Sequence, residues 1–92
     1  MKFILRYESP DDFDMAKARA HFPAHQARWA IYREAGTLLL IGPFADPQQG
    51  ALAVFTTQES AEEFASTDPF VLNGLVARWT VTPWREALLE PL

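Results

Sequence analysis

The amino-acid sequence predicts an α+β fold, with four antiparallel strands in one sheet and two helices on one of its faces. Three observations predict it. Four short stretches are rich in apolar residues and either alternate with a period of two or form a brief buried run, as strands do. Two longer stretches place apolar residues at the helical spacing of 3.6. The six stretches follow one another as β-α-β-β-α-β, divided by breaks rich in proline, glycine and aspartate.

The first strand is Lys2 to Tyr7, with Phe3, Leu5 and Tyr7 on one side and Ile4 and Arg6 on the other. Pro10 ends it, and Asp11 or Asp12 offers a helix cap. Residues 12–35 read as helical, with Pro23 as the disturbance. Proline is accepted in a first helical turn and poorly in an interior. The expectation is therefore an irregular or helical turn over 12–20 and a firmer helix over 23–35, stopped by Gly36. "TLLLIGPF" (37–44) is a buried strand ended by Gly42 and Pro43, "ADPQQG" (45–50) a turn, and "ALAVFT" (51–56) the next strand, so 37–56 forms a hairpin. The second helix covers 57–67. Thr57 or Ser60 caps it, Glu59, Glu62 and Glu63 favour its positive end, and Ala61, Phe64 and Ala65 form its apolar stripe. The last strand runs over 75–84 and is ended by Pro83; "REALLEPL" is a tail apolar enough to dock, a second subunit being one candidate surface. This order is that of the ferredoxin-like split βαβ arrangement.

Ninety-two residues suit one domain, spanning 1–92. A net charge of −4 with eight scattered basic residues argues against nucleic acid as a partner, because neutralising phosphates needs clustered Lys and Arg. The absence of cysteine excludes disulfides, thiolate catalysis and Cys-based zinc sites, and fits a reducing compartment. No apolar run approaches the ~20 residues of a membrane span. The opening "MKFILRYESPDD" reads as a strand rather than a signal peptide, so the expected location is cytoplasmic. Helices cover one sheet face only, yet the strands carry apolar residues on both. A homodimer packed through the open sheet face is the expected cover.

Two helical stripes carry the candidate chemistry. Over 23–35, at ~100° per residue, Phe22, His25, Trp29 and Tyr32 fall on one side and Ala24, Ala27, Ile31 and Ala35 on the other. The bulky side buries more apolar area and is expected to face the sheet. In the second helix, Phe64, Ala65 and Asp68 stand at i+3, i+4 and i+7 from Ala61, so Asp68 continues the inward stripe. Both helices lie on one sheet face, so His25 and Asp68 can meet near one end. A carboxylate beside an imidazole fixes its tautomer and favours its charged form, the usual preparation of a general acid or base. The residues alone leave another reading open: a histidine on an apolar face is commonly a core residue with one satisfied hydrogen bond, and an aspartate before proline commonly caps the next turn. His21 and His25 stand at i, i+4, a metal-binding spacing on a continuous helix, but Pro23 between them argues against one and no HExxH pattern is present. No metal and no cofactor is expected.

"PAHQARWAIYREAGTLLLIGPF", then "DPF", then "TVTPWREAL" resembles the YCII family of YciI-like proteins, small domains of the dimeric α+β barrel type. The resemblance runs from Met1 to about Ala87. It rests on Pro23, Ala24 and His25 leading a helix, Gly36, then Gly42 and Pro43 at a strand end, then Asp68, Pro69 and Phe70, then Pro83, Trp84 and Arg85. Each motif alone is weak; their order and spacing are specific. The resemblance implies a ferredoxin-like fold, a homodimer and a catalytic pair at His25 and Asp68. One branch of the family acts on chlorinated hydroxyquinones, which implies proton transfer or elimination on a small cyclic substrate. Two departures stand out. Many relatives carry arginine three residues before the histidine, where this chain has Phe22, so an anion contact there is in doubt. Many carry leucine where Gln26 and Trp29 stand, so the pocket differs in size.

The leading expectation is a small homodimeric enzyme with His25 as general acid or base on a small organic ligand and Asp68 as its orienting partner. Trp29, Tyr32, Phe70 and Trp79 are the expected pocket walls, and Gly42 with Pro43 lets backbone approach the site. The alternatives are a non-catalytic dimeric binding or accessory module whose His–Asp contact is structural, and a surface that binds another protein, which would leave an exposed apolar patch outside the dimer contact.

Overall fold

The computed structural model describes residues 1–89. Its elements are β1 (Lys2–Glu8), α1 (Met15–Glu34), β2 (Leu38–Pro43), a 3-10 turn (Pro47–Gln49), β3 (Ala51–Phe55), α2 (Gln58–Thr67), α3 (Pro69–Leu72) and β4 (Arg78–Trp84). The strands form one antiparallel sheet in the order β2-β3-β1-β4. This is the ferredoxin-like arrangement expected from the element order. β2 and β3 form the expected hairpin, with an irregular register between Leu38 and Leu40.

Register fixes the two faces. Leu5 lies opposite Ala53 and Val81, and Tyr7 opposite Ala51 and Trp79. These residues point toward the helices, and Leu5, Tyr7, Ala53, Phe55, Ala61, Phe64 and Ala65 make up the centre of the core. Lys2, Ile4, Arg6 and Glu8 alternate onto the opposite face beside Leu52 and Val54.

α1 corrects one expectation. It is a single 20-residue helix that runs through Pro23, capped by Asp14 rather than Asp11 or Asp12. Asp14 Oδ1 accepts the amides of Ala16 at 2.9 Å and Lys17 at 3.2 Å. Pro23 lacks the amide that would serve the carbonyl of Arg19, and both residues are exposed, so that carbonyl lies on the solvent side. Along the other side Ala18, His25 and Tyr32 are buried and hold the helix on the sheet above and below the proline. The small-residue side, Ala24, Ala27, Ile31 and Ala35, is exposed.

The last strand is shorter than the expected 75–84. It begins at Arg78, because α3 and its turn occupy the chain up to Gly74 and Leu75 returns its amide to the Phe70 carbonyl at 2.9 Å. After β4, Glu86 pairs with Lys2 at 2.7 Å and with the amino terminus at 3.2 Å. Leu88 and Leu89 are exposed. The end of the tail, residues 90–92, lies outside the described residues.

Gly50 fixes the seat of Tyr7. Its φ is +109°, and a Cβ there would fall 1.8 Å from the Tyr7 carbonyl oxygen. Gly50→Ala is expected to lower stability by about 2 kcal/mol or more. Gly42, where a Cβ meets nothing within 4 Å, serves as the control, and Gly42→Ala is expected to be near neutral. Urea unfolding midpoints of the two variants check the contrast.

Candidate active site

Asp68 is fully buried, at 0% exposure, where α2 ends and α3 begins. It is placed there by sequence: Pro69 cannot continue α2 but suits the first position of a new helix. Asp68 Oδ1 accepts the Phe70 amide at 3.1 Å, so it caps α3. The same oxygen lies 2.7 Å from His25 Nδ1. Oδ2 accepts the Tyr7 hydroxyl at 2.5 Å. Three donors from β1, α1 and α3 thus converge on one buried carboxylate, which is what keeps a charge there tolerable.

His25 comes from the middle of α1 and is also buried. Its ring stacks on Phe70 at 4.0 Å and 9°, and meets Trp29 edge-on at 5.4 Å and 81°. The carboxylate accepts the proton of Nδ1, so the neutral ring carries its lone pair on Nε2. Nε2 forms no hydrogen bond with the described residues.

A cavity of about 250 Å³ opens beside this ring, between α1 and the β2-β3-β1 part of the sheet. Leu5, Ile41, Ala53 and Phe64 form much of its apolar wall, and Tyr7 and His25 bring their rings to it. Its size lies below the ~300–1,000 Å³ of drug-sized sites and suits a ligand of a single ring.

Of the residues expected to surround a ligand, Trp29, Gly42, Pro43 and Phe70 line this cavity with His25. Tyr32 and Trp79 do not. Tyr32 lies two turns beyond His25 along α1, its ring packed on Phe55 and Phe64 and its hydroxyl donating to Glu63 at 2.8 Å. Burial and then the Glu63 hydrogen bond raise its pKa above the ordinary value. Trp79 sits on β4, a strand that contributes nothing to the cavity, and packs against the core. Asp68 stands behind His25 rather than in the lining. Trp29 Nε1 is buried without a hydrogen-bond partner among the described residues.

Sequence reasoning missed Tyr7 as the second partner of Asp68. Its signal was present: Tyr7 ends the inward stripe of Phe3 and Leu5, and a tyrosine buried there needs an acceptor. The continuous α1 also restores the i, i+4 spacing of His21 and His25 that Pro23 was expected to spoil. Among the described residues, however, no group of three or more His, Asp or Glu is arranged to hold a metal ion. No helix of the described residues is long and apolar enough to cross a membrane.

Residues 1–85 match the family model of the YCII-related domain. The chain belongs to the YCII-related family. No curated protein sequence matches it. Among solved structures, this YCII domain is similar to the 5-chloro-2-hydroxyhydroquinone dehydrochlorinase TftG from Burkholderia phenoliruptrix AC1100, in complex with 2,5-dihydroxybenzoquinone. The TM-score is 0.76 at 18% identity, covering 95% of this chain and 96% of that one. At that identity the likeness is one of fold.

The Tyr7 contact makes a pH prediction for this YCII domain. Burial first, then the charge of Asp68 and the hydrogen bond to it, push the Tyr7 phenol above its ordinary value of 10, against a smaller opposing pull from Arg28. A group whose folded pKa is raised contributes stability that is full below the unfolded pKa and lost as pH rises above it. Stability should therefore fall above pH of about 10, by up to about 1.4 kcal/mol per pH unit from Tyr7. Tyr32 adds to the fall in the same direction. Tyr7→Phe should be less stable at pH 8 by about 1.5–3 kcal/mol, the worth of a hydrogen bond to a charged group, and should lose stability more slowly between pH 10 and 11. Equal alkaline slopes in urea titrations would show that Tyr7 is not the group responsible.

Proposed function

We propose that this protein is a small homodimeric enzyme that moves a proton, or carries out an elimination, on a small cyclic organic substrate. The observation that carries the reading is a buried histidine held by Asp68 through Nδ1 that also lines an apolar cavity of about 250 Å³. In this reading Nε2 takes a proton from the bound ring. The electrons of that bond form a new π bond, and in an elimination the leaving group departs with its own electron pair. Asp68 stabilises the imidazolium that results. The apolar wall excludes water that would compete for the base. Trp29 and Phe70 hold the ring flanks, and Gly42 and Pro43 bound the cavity on the sheet side.

The fold likeness to a dehydrochlorinase supports elimination as the reaction to test first. The open sheet face supports the dimer: Leu40 and Trp84 remain 68% and 47% exposed in the single chain. A chain without cysteine suits the reducing cytoplasm.

One observation favours a second reading, a binding module with a structural His–Asp contact. Asp68 is already employed in capping α3 and satisfying Tyr7, so the contact with His25 also serves folding. Turnover decides between them. The enzyme reading expects chloride release from 5-chloro-2-hydroxyhydroquinone, or exchange of a ring hydrogen with solvent deuterium in the chlorine-free hydroxyhydroquinone. Neither event in the presence of demonstrated binding leaves the binding module.

A further inference from the structure

Arg19 is exposed and also lines the cavity, and its charge says something about what enters. It stands six residues before His25 on the same helix and contributes to the same wall. Six helical residues span about 9 Å. Its guanidinium forms no hydrogen bond and no ion pair with the described residues. Arg78, by contrast, is paired with Glu8 at 3.1 Å, and Arg28 donates to the Phe64 carbonyl at 2.9 Å. Among the described residues that line the cavity there is no aspartate or glutamate, and Arg19 alone carries a fixed charge. The protein as a whole is acidic, at −4, so the sign of this lining residue runs against that of the molecule.

These facts fit together physically. The apolar wall offers a planar ring its contacts but offers a charged substituent nothing. A guanidinium brought to such a cavity supplies a forked, permanently charged partner for an oxyanion. Among the described residues no hydrogen bond or ion pair commits the Arg19 side chain elsewhere. We infer that Arg19 binds an anionic oxygen substituent, a carboxylate or a ring oxyanion, of a single-ring ligand whose opposite end reaches His25. This rests on the reading of the cavity as the active site and adds the charge of the substrate to it. Arg19 in this role is a binding residue that sets specificity, and the proton chemistry stays with His25.

The test is a pair of isosteric ring probes, benzoate and benzamide, titrated into the full chain. The His25 and Trp29 ring signals are followed by NMR. Wild-type protein is expected to bind benzoate about ten-fold more tightly than benzamide, the worth of one charge-assisted contact. Arg19→Gln should erase that preference with the fold intact, because the side chain is exposed. Arg19→Lys should keep part of it, retaining charge without the fork. Equal binding of the two probes by wild type, or a preference that survives Arg19→Gln, overturns the inference while leaving the His25 reading untouched, since a neutral ring still reaches the histidine. Absence of benzoate binding, or binding that shifts neither His25 nor Trp29, overturns it too, and in that case the cavity reading falls with it.

Discussion

Asp68→Ala is expected to destabilise the protein by about 3–5 kcal/mol, the range seen when one partner of a buried charged network is removed. The reason is a count of what the carboxylate leaves behind. The Tyr7 hydroxyl, the His25 Nδ1 and the Phe70 amide all lose their acceptor, and Asp68 itself is at 0% exposure, so water does not reach them without opening the fold. The contact also joins β1, α1 and α3, which are distant in sequence, so its loss loosens the seam between helices and sheet. A domain of this size has roughly 5–15 kcal/mol of total stability, so the alanine variant should be partly unfolded near room temperature if it lies at the low end. Asp68→Asn separates charge from shape. Its Oδ1 can still serve the α3 cap and His25 Nδ1, but its amide then stands in the place of Oδ2 and faces the Tyr7 hydroxyl, which loses its acceptor. The expected loss is smaller, about 2 kcal/mol. Urea unfolding of both variants, with unchanged m-values, checks the order. An alanine variant as stable as wild type would mean that the three donors find water, and that the carboxylate is not what binds this seam.

The stripes that place His25 and Asp68 were legible because helical spacing determines which side of a helix a residue faces. What spacing does not determine is how far along the axis a residue sits relative to a cavity. Tyr32 shares the face of His25 but stands seven residues on, about 10 Å up the helix, and so serves the core and Glu63 instead. Trp79 illustrates the same limit on the sheet. Its parity, opposite Tyr7, is inward, yet the cavity lies over β2, β3 and β1 and not over β4. Pro23 was misleading for an energetic reason. An interior proline costs about 3 kcal/mol in an isolated helix. Burying an aromatic or large apolar side chain contributes about 1.5–3 kcal/mol each, and α1 buries His25 and Tyr32 and half-buries Trp29 along the side away from the proline. Tertiary packing outweighs the local penalty. The Tyr7 bond was hidden because nothing in one strand says which helix terminus will lie above its end.

His25→Asn is the substitution that separates chemistry from folding. An asparagine amide at this position has an N–H near where Nδ1 lies, so Asp68 Oδ1 keeps a donor. Nothing of the asparagine reaches the place of Nε2, so the base is gone. The expected result is a protein within about 1 kcal/mol of wild-type stability whose kcat falls by roughly 10²–10⁴, the usual worth of a positioned acid–base group. His25→Ala loses the same chemistry and more of the fold, since it strips a donor from a buried carboxylate and opens a gap on Phe70 at the stacking distance of 4.0 Å. Binding should survive in the asparagine variant, because Trp29, Phe70 and the aliphatic wall are untouched. The signature of a catalytic His25 is therefore a fall in kcat without a matching rise in KM. The signature of a structural His25 is the reverse: near-normal turnover in His25→Asn, where the hydrogen bond is kept, and loss in His25→Ala, where it is not. Chloride release under saturating substrate, measured beside urea midpoints for the same two variants, distinguishes these patterns, and only the first is compatible with proton transfer at Nε2.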